Sequence, residues 1–354
     1  MIQKIWFTLV WSYIKFGLFF YSKKITVLGR ENIPKKGAVL FVVNHPNGLV
    51  DPLYVTTTNK RQNHFLVRAA SFKKPFVKKI LESLYLMPIY RIRDGVKQLS
   101  NNQEIFEKCH KILNKGETLM IFPEGTHNKK RSIRPLIKGF TRIIFGALEK
   151  HPDLEITLLP VGITYQHPSQ FPAKVTVNYG KPIATRTLFE TNTLAKSVHI
   201  LKDIVNEQLK ELTVHIPNNE NYETVLQKLN DAQVDFTAIE TVNEMIKNNA
   251  FPPKKAPKKN YLKPVLFLII LNSILPFLVW KKVTNKIDEI EFIDTFRFGL
   301  NLVLCAIFYG VQAWFLSIYF GNIVGFFYLS VSALLLIIYV KLAPTNAKKY
   351  ADSI

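Results

Sequence analysis

Cysteine is nearly absent from this chain. Two occur in 354 residues, Cys109 in a helical pattern and Cys305 in a long apolar run, so no disulfide framework holds the fold and both read as packing residues. Acidic residues are also scarce, 26 against 47 Lys and Arg, which gives a formal charge of +21; yet 48% of the residues are hydrophobic. A disordered polycation does not combine those properties. Such a chain binds nucleic acid or sits on an anionic bilayer, where each Lys or Arg near the surface contributes about 1 kcal/mol. No nucleic-acid-binding motif accompanies the charge, and long apolar segments favour the bilayer. The first apolar segment, Ile5 to Tyr21, has no small-residue cleavage site after it and therefore reads as retained. Its borderline length, with Lys15 near the centre, favours an interfacial or re-entrant helix over residues 1–24. Metal-ligand spacing is missing too: His64, His110, His127, His151, His167, His199 and His215 show none, and no metal is expected.

What is present alternates. Ile25 to Leu28, Ala38 to Val43, His64 to Val67, Met87 to Tyr90, Thr118 to Phe122, Ile156 to Ile163 and Lys174 to Tyr179 read as strands. Phe72 to Tyr85, Gly95 to Asn114, Lys138 to Lys150 and Ala195 to Leu212 carry helical spacing. Residues 25–213 are thus an α/β domain, expected around a central mixed sheet. A helical extension over 214–250 follows, then a Pro- and Lys-rich linker over 251–261. Residues 262–340 hold three apolar runs long enough to cross a bilayer, ahead of a polar tail, 341–354. Lys254 to Lys263 precede the first run and Lys281, Lys282, Lys286 and Arg297 lie beyond it in a predicted loop. A full span would separate these basic groups, so the run is expected to dip in and return, bent at Asn272 or Pro276, leaving them and the α/β domain on the cytoplasmic face.

Two stretches at the carboxyl ends of apolar strands carry the chemistry. Asn44-His45-Pro46-Asn47-Gly48-Leu49-Val50-Asp51 supplies an imidazole and a carboxylate on a turn that Gly48 lets curl, and Phe122-Pro123-Glu124-Gly125-Thr126 brings a second carboxylate to the same edge. His45 suits a general base at neutral pH, with Asp51 on its other ring nitrogen. No Ser or Cys stands beside them as a nucleophile, so direct attack by an acceptor hydroxyl on a thioester is the simpler scheme. Glu124 either binds substrate or caps its turn. Lys129-Lys130-Arg131 with Arg134 reads as a solvated loop or as a phosphate contact.

These residues resemble the glycerolipid acyltransferase family, of the lysophospholipid and glycerol-3-phosphate type. Four ordered blocks across residues 25–185 carry the resemblance: Asn44, His45 and Asp51; Pro88-Ile89-Tyr90-Arg91; Phe122 to Thr126; and Leu159-Pro160-Val161-Gly162-Ile163. It implies His45 and Asp51 as catalytic, Arg91 or its rival Arg93 on the acceptor phosphate, and Glu124 on a glycerol hydroxyl or bracing the loop. Gly125 and Thr126 would offer backbone N–H groups, and Lys138 would add to anion binding. The donor would be acyl-CoA or an acyl carrier protein thioester, with no other cofactor. Five residues separate His45 from Asp51 where the common family spacing is four; a subset with five acylates glycerol-3-phosphate or dihydroxyacetone phosphate. The competing reading is a catalytically degenerate, membrane-anchored lipid-binding protein.

Overall fold

The computed structural model describes residues 2–91 and 100–347. Its centre is the strand β2 (Ala38–Val43), whose six residues are all buried because helices cover both faces of the sheet. The remaining strands are β1 (Ser22–Leu28), β3 (Asn63–Arg68), β4 (Leu86–Ile89), β5 (Thr118–Ile121), β6 (Ile156–Tyr165), β7 (Ala173–Tyr179) and the short β8 (Ile183–Ala184). They order as β1-β7-β6-β2-β5-β3-β4, with β8 on β6; β7 and β8 run antiparallel to β6 and every other pair is parallel. The sheet is therefore mixed, as expected. Register does the functional work: Val42 pairs with Ile121 and Val43 with Val161, so β2 and β5 end side by side on the edge that β6 continues along.

Side chains alternate between two cores. Leu40, Val42 and Leu119 point to one face, covered by α4 (Asn102–Asn114), α5 (Gly139–Lys150) and α7 (Leu194–Leu212). Val39, Phe41 and Val43 point to the other, covered by α1 (Ile2–Tyr21) and α2 (Val50–Thr58). The sequence reading missed α2, because Pro52 and the run Thr56-Thr57-Thr58 are poor helix formers. Pro52 is tolerated in the first turn, where no N–H is needed, and Thr57 and Thr58 donate back to the carbonyls of Leu53 and Tyr54, each at 2.7 Å. Asp51 thus stands on a helix rather than a free turn. The short β8 and α6 (Thr185–Thr191) were also unforeseen.

Two helices, α3 (Pro75–Ser83) and α1, leave apolar side chains uncovered. Phe76 and Ile80 of α3 are exposed among Lys73, Lys74, Lys78 and Lys79, and α1 presents Ile5, Leu9, Tyr13 and Phe16 along one side. Trp6 of α1 donates to Ser83 Oγ at 3.1 Å, so the two helices adjoin.

Residues after α7 form two further units. Helices α8 (Tyr222–Asp231) and α9 (Ile239–Lys247) share a core of Val214, Leu226, Leu229 and Phe236. Arg131 clips this unit to the α/β domain: its guanidinium donates to the Tyr165 and Gln166 carbonyls at 3.0 and 2.9 Å and lies 3.6 Å over the Phe236 ring. Arg131 is therefore a structural joint, while Lys130 beside it is exposed.

The chain ends in α10 (Lys263–Asn272), α11 (Ile274–Thr284), α12 (Ile293–Phe320) and α13 (Asn322–Leu342). The last two are long and apolar enough to cross a membrane, and α10 and α11 bend by 97° at their junction. Gly321, at φ 91, turns α12 back into α13, and Gly325 meets Ala313 and Ser317 where the two helices pack. At the bend, Asn272 donates to Ser332 Oγ at 3.0 Å and Tyr328 lies within hydrogen-bond reach of both Asn272 and Gln312, halfway along the hairpin. Leu262 and Val265 pack on Tyr339 and Val340, while Trp280 stacks under Arg297. Both ends of the α10–α11 pair consequently lie at the open end of the hairpin. The helix α12 starts at Ile293, which places Arg297 inside the helix and not in the predicted basic loop.

Candidate active site

Asn44 fixes the end of β2. Its side-chain amide donates to the Ile163 carbonyl at 3.0 Å and accepts from the Ile163 N–H at 2.7 Å, clasping β2 to β6 just before the chain turns. His45 then leaves the sheet stacked on the Phe122 ring, at 4.0 Å between centroids, with His127 edge-on at 4.3 Å. Its Nδ1 lies 2.8 Å from Asp51 Oδ2. Asp51 is wholly buried, and two more donors reach it: the Tyr165 hydroxyl at 2.6 Å on Oδ1 and the Asn47 backbone N–H at 2.7 Å on Oδ2. With Nδ1 committed to the carboxylate, Nε2 is the basic atom of the ring.

Burial first, then the positive charges of Arg91 and Arg134, push the His45 pKa down to about 3, so the imidazole is neutral near pH 7. Burial pushes Asp51 up, to about 7, and the hydrogen bonds from Tyr165 and Asn47 oppose it. The three donors aimed at Asp51 make it an acceptor, which holds the proton of the pair on His45 Nδ1.

Glu124 lies in the turn after the adjoining strand, β5, and spends both oxygens on the protein. Oε1 accepts the His45 N–H at 3.3 Å and Oε2 accepts Arg134 Nε at 3.0 Å. Arg134 also donates to Thr126 Oγ1 at 2.7 Å and to the Thr126 carbonyl, so it locks the turn and is not part of a solvated loop. Both Glu124 oxygens thus brace the turn and the His45 backbone. Gly125 sits at φ 72, where a side chain is strained, and its N–H donates to the Phe122 carbonyl at 3.2 Å. The turn thus uses that group. Lys138 is exposed at the start of α5, next to Ile137, whose N–H donates to the Pro123 carbonyl at 2.9 Å. Arg91 stands within electrostatic reach of His45 and His127, and Arg93 lies outside the described residues.

Several members were not foreseen. Tyr165, at the end of β6, and Asn47, in the loop after His45, carry no chemical signal of their own in the sequence. Asp294 was passed over, although an Asp and an Arg three residues apart at the start of an apolar helix are a legible signal: Asp294 Oδ2 accepts from Asn47 Nδ2 at 3.0 Å.

Residues 24–164 match the family model described as Acyltransferase. Glycerol-3-phosphate O-acyltransferase 1 of Saccharomyces cerevisiae is 27% identical over 34% of this chain and 16% of its own length. The 1-acyl-sn-glycerol-3-phosphate acyltransferase of Borreliella burgdorferi is 31% identical over 38% of this chain and 51% of its own. The chain thus spans about half, or much less, of the length of these relatives. The crystal structure of a 1-acyl-sn-glycerophosphate acyltransferase from Thermotoga maritima aligns with 59% of this chain and 80% of that one at 17% identity, with a TM-score of 0.42.

Proposed function

We propose that this chain, whose residues 24–164 carry an acyltransferase-family domain, moves an acyl group from an acyl-CoA or acyl carrier protein thioester to a hydroxyl of a glycerol-phosphate acceptor at a membrane surface. The observation that carries the proposal is the His45 Nδ1 to Asp51 contact at 2.8 Å, with Tyr165 and Asn47 completing the carboxylate.

In this reading the acceptor hydroxyl gives its proton to His45 Nε2 as its oxygen attacks the thioester carbonyl. The tetrahedral intermediate collapses with loss of the thiolate, which takes the proton back, so an ester and a free thiol are the products. Asp51 stabilises the imidazolium that forms in between. Arg91 holds the acceptor phosphate, its charge already felt at His45, and Lys138 adds to the anion-binding edge. Glu124 and Arg134 keep the His45 backbone in place. The relatives' names carry glycerol-3-phosphate and 1-acylglycerol-3-phosphate, which share a phosphate beside a free hydroxyl. The five-residue His45 to Asp51 loop favours glycerol-3-phosphate, or dihydroxyacetone phosphate, over the acylated acceptor.

The bilayer enters through four elements. Helices α12 and α13 are long enough to span, and the bent α10–α11 pair enters and leaves at the hairpin's open end; in this reading the α/β domain at that end faces the cytoplasm. The uncovered apolar face of α1 and the Phe76 and Ile80 side chains of α3, ringed by lysines, suit an anionic lipid surface.

Mass spectrometry of lipids made by purified protein from labelled acyl thioester tests the proposal, with glycerol-3-phosphate, dihydroxyacetone phosphate and lysophospholipids offered together. A single acylated phosphate ester, with free thiol released and both lost in His45→Gln, is expected. Turnover that survives His45→Gln removes His45 as the base.

A further inference from the structure

We infer that Asp294 and Arg297, on the first turns of α12, are positioning residues for the His45–Asp51 loop, which makes the C-terminal hairpin a working part of the acyl-transfer site. The inference rests on the reaction proposed above.

Asp294 is fully buried, a place where a carboxylate survives only if its oxygens are occupied. Oδ1 accepts from Arg297 at 2.8 Å and from the Tyr21 hydroxyl, and Oδ2 accepts from Asn47 Nδ2 at 3.0 Å. Arg297 in turn donates to the Ser169 carbonyl at 2.7 Å and to Tyr21 at 3.0 Å, and lies 5.7 Å over the Trp280 ring. A buried ion pair is a poor way to add stability, and apolar packing would anchor a hairpin as well. What the pair supplies is direction. Asn47 faces both ways: its side-chain amide is held by Asp294 and by the Pro168 carbonyl at 2.9 Å, while its backbone N–H is aimed at Asp51 Oδ2.

The next two loop residues meet the same helix. Leu49 N–H donates to Thr295 Oγ1 at 3.0 Å, and Gly48 lies so close that a Cβ there would stand 2.5 Å from that oxygen. Three consecutive residues of the five between His45 and Asp51 therefore rest on α12. The longer loop is shaped by a helix beyond the acyltransferase-family region, which ends at residue 164. Its pull reaches Nε2 through Asn47, Asp51 and His45 in turn.

The test uses the full chain in proteoliposomes. Asp294→Leu is expected to lower kcat about 50-fold while KM for acceptor and thioester stays within about twofold. The double variant Asp294→Asn with Arg297→Gln keeps a carbonyl acceptor for the Asn47 amide and removes both charges, and is expected to regain most of the rate. A second readout does not need turnover: histidine-selective nitrogen NMR of His45, which faces Asp51, Glu124, His127, Arg91 and Arg134. In Asp294→Leu its titration is expected to move up towards 6.5 as the loop loosens. Should Asp294→Leu fail to fold, Thr295→Val takes its place, with losses of the same sign. If wild-type protein turns nothing over, the proposed reaction fails while the NMR shift still decides the positioning role. An unmoved His45 titration together with unchanged kcat overturns the inference.

Discussion

Tyr165 donates its hydroxyl to Asp51 at 2.6 Å across 114 residues of sequence, from the end of β6 to the first turn of α2. Phe fills the same space and removes one hydrogen bond to a carboxylate, a loss of about 1.5–3 kcal/mol if felt wholly in the transition state. Tyr165→Phe is therefore expected to lower kcat about tenfold or more with little change in KM, in steady-state acyl transfer. Because that bond holds the Asp51 pKa down, the variant's Asp51 should titrate higher still.

Acid sensitivity has a definite sign at this site. Burial holds His127 at about 4 and His45 at about 3, so the unfolded chain takes up protons that the native site refuses once pH drops below 6.5. Their stabilising contribution is full above 6.5 and is lost as pH falls through those lower values. Asp51, raised to about 7, works in reverse: its contribution is full below 3.8 and fades as pH rises through about 7. His127→Gln removes one acid-sensitive group and leaves the opposing carboxyl. The drop in denaturant midpoint between pH 6.5 and 4.5 should be smaller in that variant than in the wild type; an equal drop contradicts the assignment.

Arg134→Met leaves the Glu124 carboxylate, whose side chain is 2% exposed, without its counter-charge, and frees the Thr126 turn. Breaking such a pair costs about 3 kcal/mol. The thermal midpoint should fall accordingly, and Glu124→Gln added to Arg134→Met should restore part of it.

Gly48 and Gly37 make a controlled pair. Both hold positive φ, 43 and 81, but a Cβ at Gly37 meets nothing within 4 Å, whereas one at Gly48 meets Thr295 and, at 3.1 Å, the Glu291 carbonyl. Gly37→Ala should cost about 1 kcal/mol of backbone strain and leave turnover alone. Gly48→Ala should carry the same strain and lose activity as well, since α12 has to shift.

Cysteine labelling checks the path of α10 and α11. In a background lacking Cys109 and Cys305, Lys259→Cys and Lys286→Cys should react with an impermeant maleimide from one face of the vesicle, and Ile323→Cys from the other. Reaction of position 286 from the face opposite to position 259 means that the bent pair spans.

The strand-forming parts of this fold were legible because apolar runs such as Ala38–Val43 and Thr118–Ile121 have one meaning when buried on both faces. His45, Asp51 and Glu124 stood out because polar residues directly follow those runs. Helix α2 was hidden, since its stability comes from packing and threonine back-bonding and not from propensity. Arg134 was hidden for another reason: an arginine in a basic, loop-like stretch reads as solvated until its partner Glu124 is known. Arg297 was misread as a loop cation because hydropathy locates the apolar centre of a helix and says little about its polar first turn, where the partners were Tyr21 and Asp294.

The bond between Asn47 and Asp294 joins residues 247 positions apart, and that between Tyr21 and Asp294 joins residues 273 apart. A ribosome delivers the whole sheet long before it delivers residue 294. During synthesis β2, β5 and β6 can pair and bury their core while the loop after His45 still lacks the helix that shapes it. The last hydrogen bonds of the site form only when the final apolar hairpin has emerged and settled, so a nascent or truncated chain carries the histidine without its finished setting. Competence for the proposed reaction would thereby wait on the folding of α12 against the loop.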